Sequence, residues 1–534
     1  MQSSTDVLIV GGGPVGLLLA GELQRRGIGH LIIDERAQPD YYCKALGVTP
    51  RTLEVWDQIG VLEDALRAGL FTDGITGAVN GQETGTERAT LGDMPYGFLM
   101  LAQYDTERIL RAHLLRHGGG VRQGTKLIGF TQRGDGVRAE LATPDGHAIV
   151  ESRYIVGCDG AHSAVRKSMG IDYEGEAYPM TFMLGDVRLH WQRARPYGYR
   201  FTLTRDGELQ NVLVCIAIPG DPLRYRLSLA APPEYWEEGA NLQTAPTLEL
   251  LAQSAAPLLP PGTTISDLRW SSFYRISHRI VSRYRSGPAF LAGDAAHIHP
   301  PIGGQGMNTG LQDAHNLAWK LALVVRGSAA ADLLDSYDAE RRPVGQEVVD
   351  RTTHRMDGTL QQGDVKFDQW MQDSQLLIHY RTSSWVGEDL AGGGLAGGPQ
   401  PGDRAPEVRA LRRKWVADPA RLKELLRGTG HTLLLYFDDA APAELYRRAA
   451  ELSDALQHRY ADEVVVYGIV DPGAQVVDHE RFPLLTDAGG EFRRAYGASR
   501  ACCYLIRPDG YVGYRAGRID AARLDTHLHR IFAV

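Results

Sequence analysis

The chain has 534 residues, enough for two or three domains, and its 43% hydrophobic and 23% charged content is that of ordinary globular proteins. A net charge of -8 leaves no basic excess for a nucleic-acid surface, and no stretch approaches the ~18 apolar residues that cross a bilayer. The opening MQSSTDVLIVGGG lacks a secretory pattern and the five irregularly spaced cysteines suggest neither a disulfide framework nor a zinc site, so a cytoplasmic protein is expected.

Residues 5–10 form a short apolar run ending in glycines and read as a buried strand. Residues 17–26 carry helical spacing and stop at Gly27, and 31–33 read as a second buried strand closed by Asp34 and Glu35. Strand, glycine turn, helix and strand make a βαβ unit. Its turn, Gly11-Gly12-Gly13-Pro14-Val15-Gly16, fits G-x-G-x-x-G. Gly11 would make the tight turn, Gly13 would admit a pyrophosphate, and Gly16 would let the helix pack close to the strand. The helix opening at Pro14 and Val15 adds N–H donors and a favourable dipole. An acid about 20 residues on binds ribose hydroxyls in such units. Strand alternation selects Glu35 over Asp34 for that role, with Arg36 beside it in the same cofactor-binding set. The motif specifies an adenine dinucleotide without saying which one.

From about residue 178 to 282 the texture changes. Segments 199–203, 212–218 and 225–230 are strand-like and bounded by Gly, Pro and Asp, which predicts a mostly antiparallel sheet inserted into the chain. Trp191, Trp270, Phe273 and Tyr274 within it either line an aromatic pocket or fill sheet core. Residues 289–292 are another short buried strand, followed by a glycine-rich loop and a helical stretch from about 309 to 325. The Gly- and Pro-dense segment 391–406 reads as a linker. Beyond it, strands 432–437, 464–469 and 503–506 alternate with helices, giving a third, small α/β domain.

Two further motifs carry chemistry. Cys158-Asp159-Gly160-Ala161-His162-Ser163-Ala164-Val165-Arg166 directly follows a predicted strand at 154–157. Gly293-Asp294-Ala295-Ala296-His297 continues through Pro300-Pro301 to Gly303-Gly304-Gln305-Gly306-Met307-Asn308 and Gly310. Asp294, at a strand end, can bond a polyol hydroxyl or make an Asx-type turn. The loop to Gly306 has so little side-chain bulk that its backbone can lie against a flat ring. The N–H groups of Met307 and Asn308, opening the next helix, would face negative charge on that ring. His297 and His299 lack further ligands at metal spacing, so no metal is expected.

Together with the N-terminal glycines, these segments resemble the three fingerprints of the single-component, group A FAD-dependent aromatic hydroxylases. That family includes para-hydroxybenzoate hydroxylase, phenol hydroxylase and the hydroxylases of aromatic polyketide pathways. The resemblance covers about residues 5–345. It implies a Rossmann-like FAD-binding domain, no separate NAD(P)H domain, and a segment containing Asp159 and Arg166 that contacts both FAD and the nicotinamide cofactor. It places Gln103, within Leu101-Ala102-Gln103, at the ribityl chain, and Pro300, Pro301 and Gly304 around the flavin ring, with no catalytic base assigned. Lys44 stands where the family commonly has arginine, which keeps the charge but loses the planar fork. The implied activity consumes NADPH or NADH and O₂ and hydroxylates a phenolic or polycyclic aromatic small molecule through a flavin C4a-hydroperoxide. Baeyer–Villiger insertion or epoxidation is the alternative outcome, and a non-oxygenating flavoprotein a remote one.

Domain boundaries follow: 1–177 for the first part of the FAD domain, with an excursion near 72–100 to the substrate sheet; 178–282 for that sheet; 283–390 for the second part and following helices; 407–534 for the third domain. Pro401-Gly402-Asp403-Arg404-Ala405-Pro406, strand 432–437 and Tyr504-Leu505-Ile506-Arg507-Pro508-Asp509-Gly510 resemble a thioredoxin-like domain, as in the larger polyketide hydroxylases. The place for C-x-x-C reads Asp438-Asp439-Ala440-Ala441-Pro442, so dithiol exchange is not expected and the domain is structural or an oligomer contact in a monomer or homodimer.

Overall fold

The computed structural model describes residues 4–39, 43–92, 94–134, 136–237, 242–362, 369–474 and 481–533. Its first sheet is built on strand Ser4–Val10, whose Val7, Leu8 and Ile9 have no exposed surface because parallel neighbours flank it and helices cover both faces. The order across this sheet is Arg285–Ser286, Ala289–Leu291, Gly146–Gly157, Ser4–Val10, His30–Ile33, Val121–Arg122. Two antiparallel strands, Gly136–Thr143 and Lys126–Arg133, extend from Gly146–Gly157. Helix Pro14–Arg25 starts on proline, which lacks only an N–H that no helical partner would have taken. It packs against Gly306–Arg326 and Gln103–Arg116. Helix Pro50–Ile59 is capped by Thr49, whose hydroxyl accepts the Thr52 N–H, and ends at Gly60 in the left-handed region.

The second sheet runs His297–Ile298, Thr264–Val281, Tyr173–His190, Arg224–Ala230, Glu208–Ala217, Tyr197–Arg205, Gly74–Val79, Gln82–Arg88. All its pairings are antiparallel except Tyr197–Arg205 with Gly74–Val79. One face is closed: Met183, Val187, Leu213 and Leu227 pack under helix Leu248–Ala255, and Gly185 is side-chain-free where Leu251 fills the space. Trp191 packs on Tyr199, Phe201 and Tyr225, and Phe273 stacks on Tyr235 at this same face. Both are core residues, which corrects the pocket reading for those two. A small sheet of Gly47–Val48, Phe98–Met100 and Leu70–Thr72 bridges the first two sheets.

In the third domain strand His431–Phe437 lies between a parallel partner, Val464–Val470, and an antiparallel one, Cys502–Ile506, which forms a hairpin with Val512–Ala516. This is the strand arrangement of a thioredoxin fold. Cys502 and Cys503 are buried, and burial pushes the Cys503 thiol up to about 12, so neither offers a thiolate at neutral pH. The stretch 391–406 is not a free linker. Gly394 and Ala396 N–H groups bond Gly517 and Gly497 carbonyls, and a Cβ on Gly398 would lie 2.2 Å from the Tyr496 carbonyl oxygen. Its glycines serve close backbone approach rather than freedom.

The third domain is joined to the first by buried ions. Arg507 pairs bidentately with Glu340 at 2.7 and 2.8 Å; Glu340 also takes Lys320 at 2.8 Å, and Asp509 accepts from Asn316 and Trp319 at 3.2 Å. A second cluster sets Glu54 against Arg51, Arg404 and Lys423. Removing one member of such a set leaves a buried charge uncompensated. Glu340→Ala is therefore expected to lower unfolding free energy by about 3–5 kcal/mol, read from the denaturant midpoint. Although burial opposes ionisation, the surrounding cations, Arg404 foremost, hold Glu54 at about 2 against its ordinary 4.5. A depressed carboxyl stabilises the fold fully above 4.5 and loses that contribution as pH falls toward about 2, so the thermal midpoint should drop across that window.

Candidate cofactor and substrate site

The glycine turn is shaped by contact. A Cβ on Gly11, at φ +108°, would lie 2.3 Å from the Cys158 carbonyl oxygen, and one on Gly16 would lie 2.0 Å from that of Gly11. A Cβ on Gly13 would meet nothing within 4 Å, which is the open space a pyrophosphate needs over a helix N-terminus. The acid at this turn is Asp34. Its Oδ2 accepts the Gly12 N–H at 2.7 Å, and its carboxylate also takes the Arg36 N–H and guanidinium at 2.9 Å. Burial works against its charge, but those donors hold the carboxyl below the usual range. Glu35 is instead 64% exposed and paired with Lys126. The strand ends at Ile33 and the chain bends over 34–36, so alternation no longer assigns faces there. Arg111, unmarked by any motif, donates to the Gly12 carbonyl at 3.2 Å. It lies one turn beyond Glu107 and two beyond Gln103 on helix Gln103–Arg116, a periodicity that could have found it.

Asp159 directs its Oδ2 to the Ala164 and Val165 N–H groups at 2.7 and 3.2 Å, capping helix Ala164–Ser168, while its buried Oδ1 has no partner. Burial pushes its carboxyl up. Arg166 donates to the Ala295 and Ala161 carbonyls and lies 4.0 Å from the Tyr173 ring centre, and the Tyr173 hydroxyl donates to the Asp294 carbonyl. The second fingerprint thus braces the third.

Gly293, at φ +62°, and Gly310 touch where helix Gly306–Arg326 crosses the end of strand Ala289–Leu291. A Cβ on Gly310 would lie 2.8 Å from both the Gly293 Cα and Val15 Cγ2. The three fingerprints therefore meet at one place. Asp294 is ringed by protein, which pushes its carboxyl up, yet its side chain remains open to solvent and makes no hydrogen bond among the described residues. No Asx turn consumes it, so it is available to a polyol. Lys44, exposed, acts on it electrostatically. Gln103 holds the Lys44 segment, accepting the Ala45 N–H at 3.0 Å and donating to Glu107 at 3.0 Å.

In the loop, Pro300 is buried, and Pro301 and Gly304 are exposed; Gly304 turns at φ +64°. Asn308 commits its side chain to the scaffold, donating to the Gly47 and Gly304 carbonyls and accepting the Thr49 N–H. The N–H groups of Gly306, Met307 and Asn308 precede the first intrahelical bond, Thr309 to Gln305, and form a donor cluster at the helix start. His297 bonds Asp313 at 2.8 Å, and Asp313 bonds Arg341 at 2.7 Å; His299, held by burial at about 4, bonds the Pro300 carbonyl. Among the described residues no group of potential ligands could hold a metal.

Beside this loop lies the open face of the second sheet. Phe182, Leu184, Ile216, Ser228, Trp270 and Tyr274 are all partly exposed, whereas alternate residues on the closed face, such as Met183, Leu213 and Leu227, are at 0%. Cys43, Phe98, Met100, Ile216, Trp370 and Met371 form an apolar cluster against the cleft, with Phe98 and Trp370 edge-on at 5.2 Å. Arg226 is the cation of the face. It is bidentate to Asp186 at 2.9 and 3.0 Å, donates to the Lys44 carbonyl, and sits 5.5 Å from the Trp270 ring centre.

These residues fit an FAD: an open phosphate turn, an unpartnered carboxylate for the ribityl chain, and a glycine loop leading to helix donors. Asp34→Ala is expected to weaken FAD binding by about tenfold or more, the worth of a charged hydrogen bond, while Glu35→Ala stays near wild type. Titration of apo-protein with FAD, followed by flavin fluorescence, checks both.

Residues 4–352 match the family described as an FAD binding domain, and residues 398–534 match the aromatic-ring hydroxylase C-terminal domain. The chain is 32% identical to 6-methylpretetramide 4-monooxygenase of Streptomyces rimosus, covering 98% of this chain and 93% of that protein. It is 31% identical to pentachlorophenol 4-monooxygenase of Sphingobium chlorophenolicum, over 97% and 94% of the two chains. The crystal structure of a ternary complex of aklavinone-11 hydroxylase with FAD and aklavinone superposes with a TM-score of 0.78 at 28% identity, over 98% of each chain. The chain belongs to the FAD-dependent aromatic-ring hydroxylases, the flavoprotein monooxygenases that carry this C-terminal domain.

Proposed function

We propose that this monooxygenase hydroxylates a polycyclic, phenol-bearing aromatic compound of the polyketide kind. The observation that carries the reading is the half-exposed sheet face. Its residues lie on four adjacent strands, Thr264–Val281, Tyr173–His190, Arg224–Ala230 and Glu208–Ala217. Three interstrand spacings span about 14 Å, the width of several fused rings rather than of one. The tetracycline and aklavinone enzymes named above act on such compounds, which supports the assignment.

Bound FAD supplies the redox chemistry, taking electrons from NAD(P)H and activating O₂ for insertion of one oxygen into the ring. The protein supplies position and electrostatics. Donors at Met307 and Asn308 face the ring system's negative charge. Asp294 and Lys44 hold the polyol chain. The Trp370, Phe98 and Met371 wall excludes water from the reacting face. Arg226 keeps its charge at every working pH, so a substrate hydroxyl beside it is favoured in the ionised, electron-rich form.

The purified protein should be yellow, and a polycyclic phenol should accelerate NAD(P)H oxidation and gain one oxygen atom from labelled O₂. Product NMR must place it as a ring hydroxyl; an inserted ester oxygen or an epoxide would overturn the assignment. Trp270→Ala is expected to raise KM about tenfold, the loss of one aromatic contact and its buried area, without changing FAD affinity.

A further inference from the structure

We infer that Asp373 is a positioning residue that links the substrate cleft to the flavin-facing turn, so that a ring seated in the cleft sets the geometry of that turn. The inference rests on the function proposed above. Asp373 ends the single helical turn Trp370–Asp373 and is 3% exposed. Its carboxylate takes both contacts of Arg355 Nη1, at 2.8 and 2.9 Å, and the Gln305 amide at 2.6 Å. It lies directly beneath the turn at 302–304: a Cβ on Gly303, at φ +75°, would come within 2.8 Å of it. Gln305 is fully buried and is the residue from which helix Gly306–Arg326 starts; its carbonyl accepts the Thr309 N–H, and its Oε1 accepts Arg351 at 2.7 Å. One carboxylate therefore holds both the loop that lies against the flavin and the first residue of the helix whose donors face it.

The opposite end of the same helical turn belongs to the cleft. Trp370 packs edge-on against Phe98, and Met371 joins Met100, Ile216 and Cys43 in the apolar wall. Immediately after Asp373 the chain is pinned again. The Ser374 carbonyl accepts the Arg51 N–H, and the Gln375 amide donates to Thr309 Oγ1 at 2.9 Å. A one-turn helix fixed at its exit cannot absorb a displacement of Trp370 by bending. A substrate pressing on Trp370 and Met371 is thus read at Asp373, three residues on, and passed to Gly303 and Gln305. A neutral packing role would not call for a carboxylate buried with an arginine in this place.

The test is Asp373→Asn in the holoenzyme, which keeps the shape and removes the charge. Expected are near-wild-type FAD affinity in apo-protein titration and an unchanged basal rate of NADPH oxidation. The acceleration of that oxidation by a polycyclic phenol should fall by about fivefold or more, the lower end of ordinary coupling energies. Product per NADPH should fall as well. The balance appears as hydrogen peroxide, with NADPH, O₂ and a proton giving NADP⁺ and H₂O₂. A variant that keeps wild-type acceleration and yield overturns the link, and so does one that retains both after losing FAD affinity alone. Should Asp373→Asn fail to fold, Arg355→Lys, which keeps the charge but not the twofold contact, is held to the same expectations. A wild-type protein that no aromatic compound accelerates defeats the functional reading and this link together. An accelerated wild type with an equally accelerated Asp373→Asn twin defeats the link alone.

Discussion

The placement of helix Gly306–Arg326 is the constraint on which the molecule depends. Its first turn must present N–H groups to a flavin, and its body runs through the interior with most of its residues buried. Those buried residues include Asp313, His315, Asn316 and Lys320, which a helix driven only by apolar packing would not carry. Each is matched by a different part of the chain: Asp313 by Arg341 and His297, His315 by Glu22 and Gln58, Asn316 and Lys320 by Glu340. Polar partners of this kind define one rotation and one depth for the helix, because any slip would strand a charge in a dry interior. Apolar side chains alone would tolerate such slips at lower cost.

The cleft follows from the same economy of surfaces. A sheet whose two faces were both covered would be core, and one whose second face met bulk water would alternate apolar and polar residues. Here the second face is apolar and aromatic yet only partly covered, roofed by elements that belong to the flavin side: the Cys43–Lys44 segment, the Phe98–Met100 strand and the Trp370 turn. Arg226 ties roof to floor by joining Asp186 and Trp270 on the sheet to the Lys44 carbonyl. The substrate surface and the cofactor surface are therefore two sides of one set of contacts.

Much of the turn chemistry was legible in the sequence because its demands are local. Gly11, Gly16, Gly293 and Gly310 are glycines since backbone passes within contact distance of each, and such requirements leave a readable mark at fixed spacing. Legibility failed where a local rule was carried past its domain. Alternation chose Glu35, but the strand had ended, and Asp34 took the inward position. Glycine density at 391–406 was read as freedom, although the same residue type also marks close approach, as at Gly394 and Gly398. Alternation separated Trp270 and Tyr274 from Phe273 in principle, yet nothing local says which face of a sheet will be filled. That is decided by helix Leu248–Ala255 arriving on one side. Asp373 and Trp370 carried no signal at all, since their importance comes from a return of the chain to a loop some seventy residues away, about the separation of Gln305 and Asp373.

The third domain shows why a fold can persist after its chemistry is gone. The strand that would precede a redox dithiol ends in Phe437 and runs on into Asp438 and Asp439, and both cysteines of the domain are buried in the opposite hairpin. What remains in use is the turn Arg507-Pro508-Asp509-Gly510. Arg507 and Asp509 reach Glu340, Asn316 and Trp319, and the Asp509 carbonyl accepts Arg51 from helix Pro50–Ile59. Gly510, at φ +80°, is shaped to admit Gln58 and Arg51. This one turn contacts three helices of the first domain, two of which begin at the flavin loop: Gly306–Arg326 directly, and Pro50–Ile59 through Thr49, whose N–H is held by Asn308. A domain with no redox group of its own thereby bears on the redox site through rigid helices whose far ends it anchors.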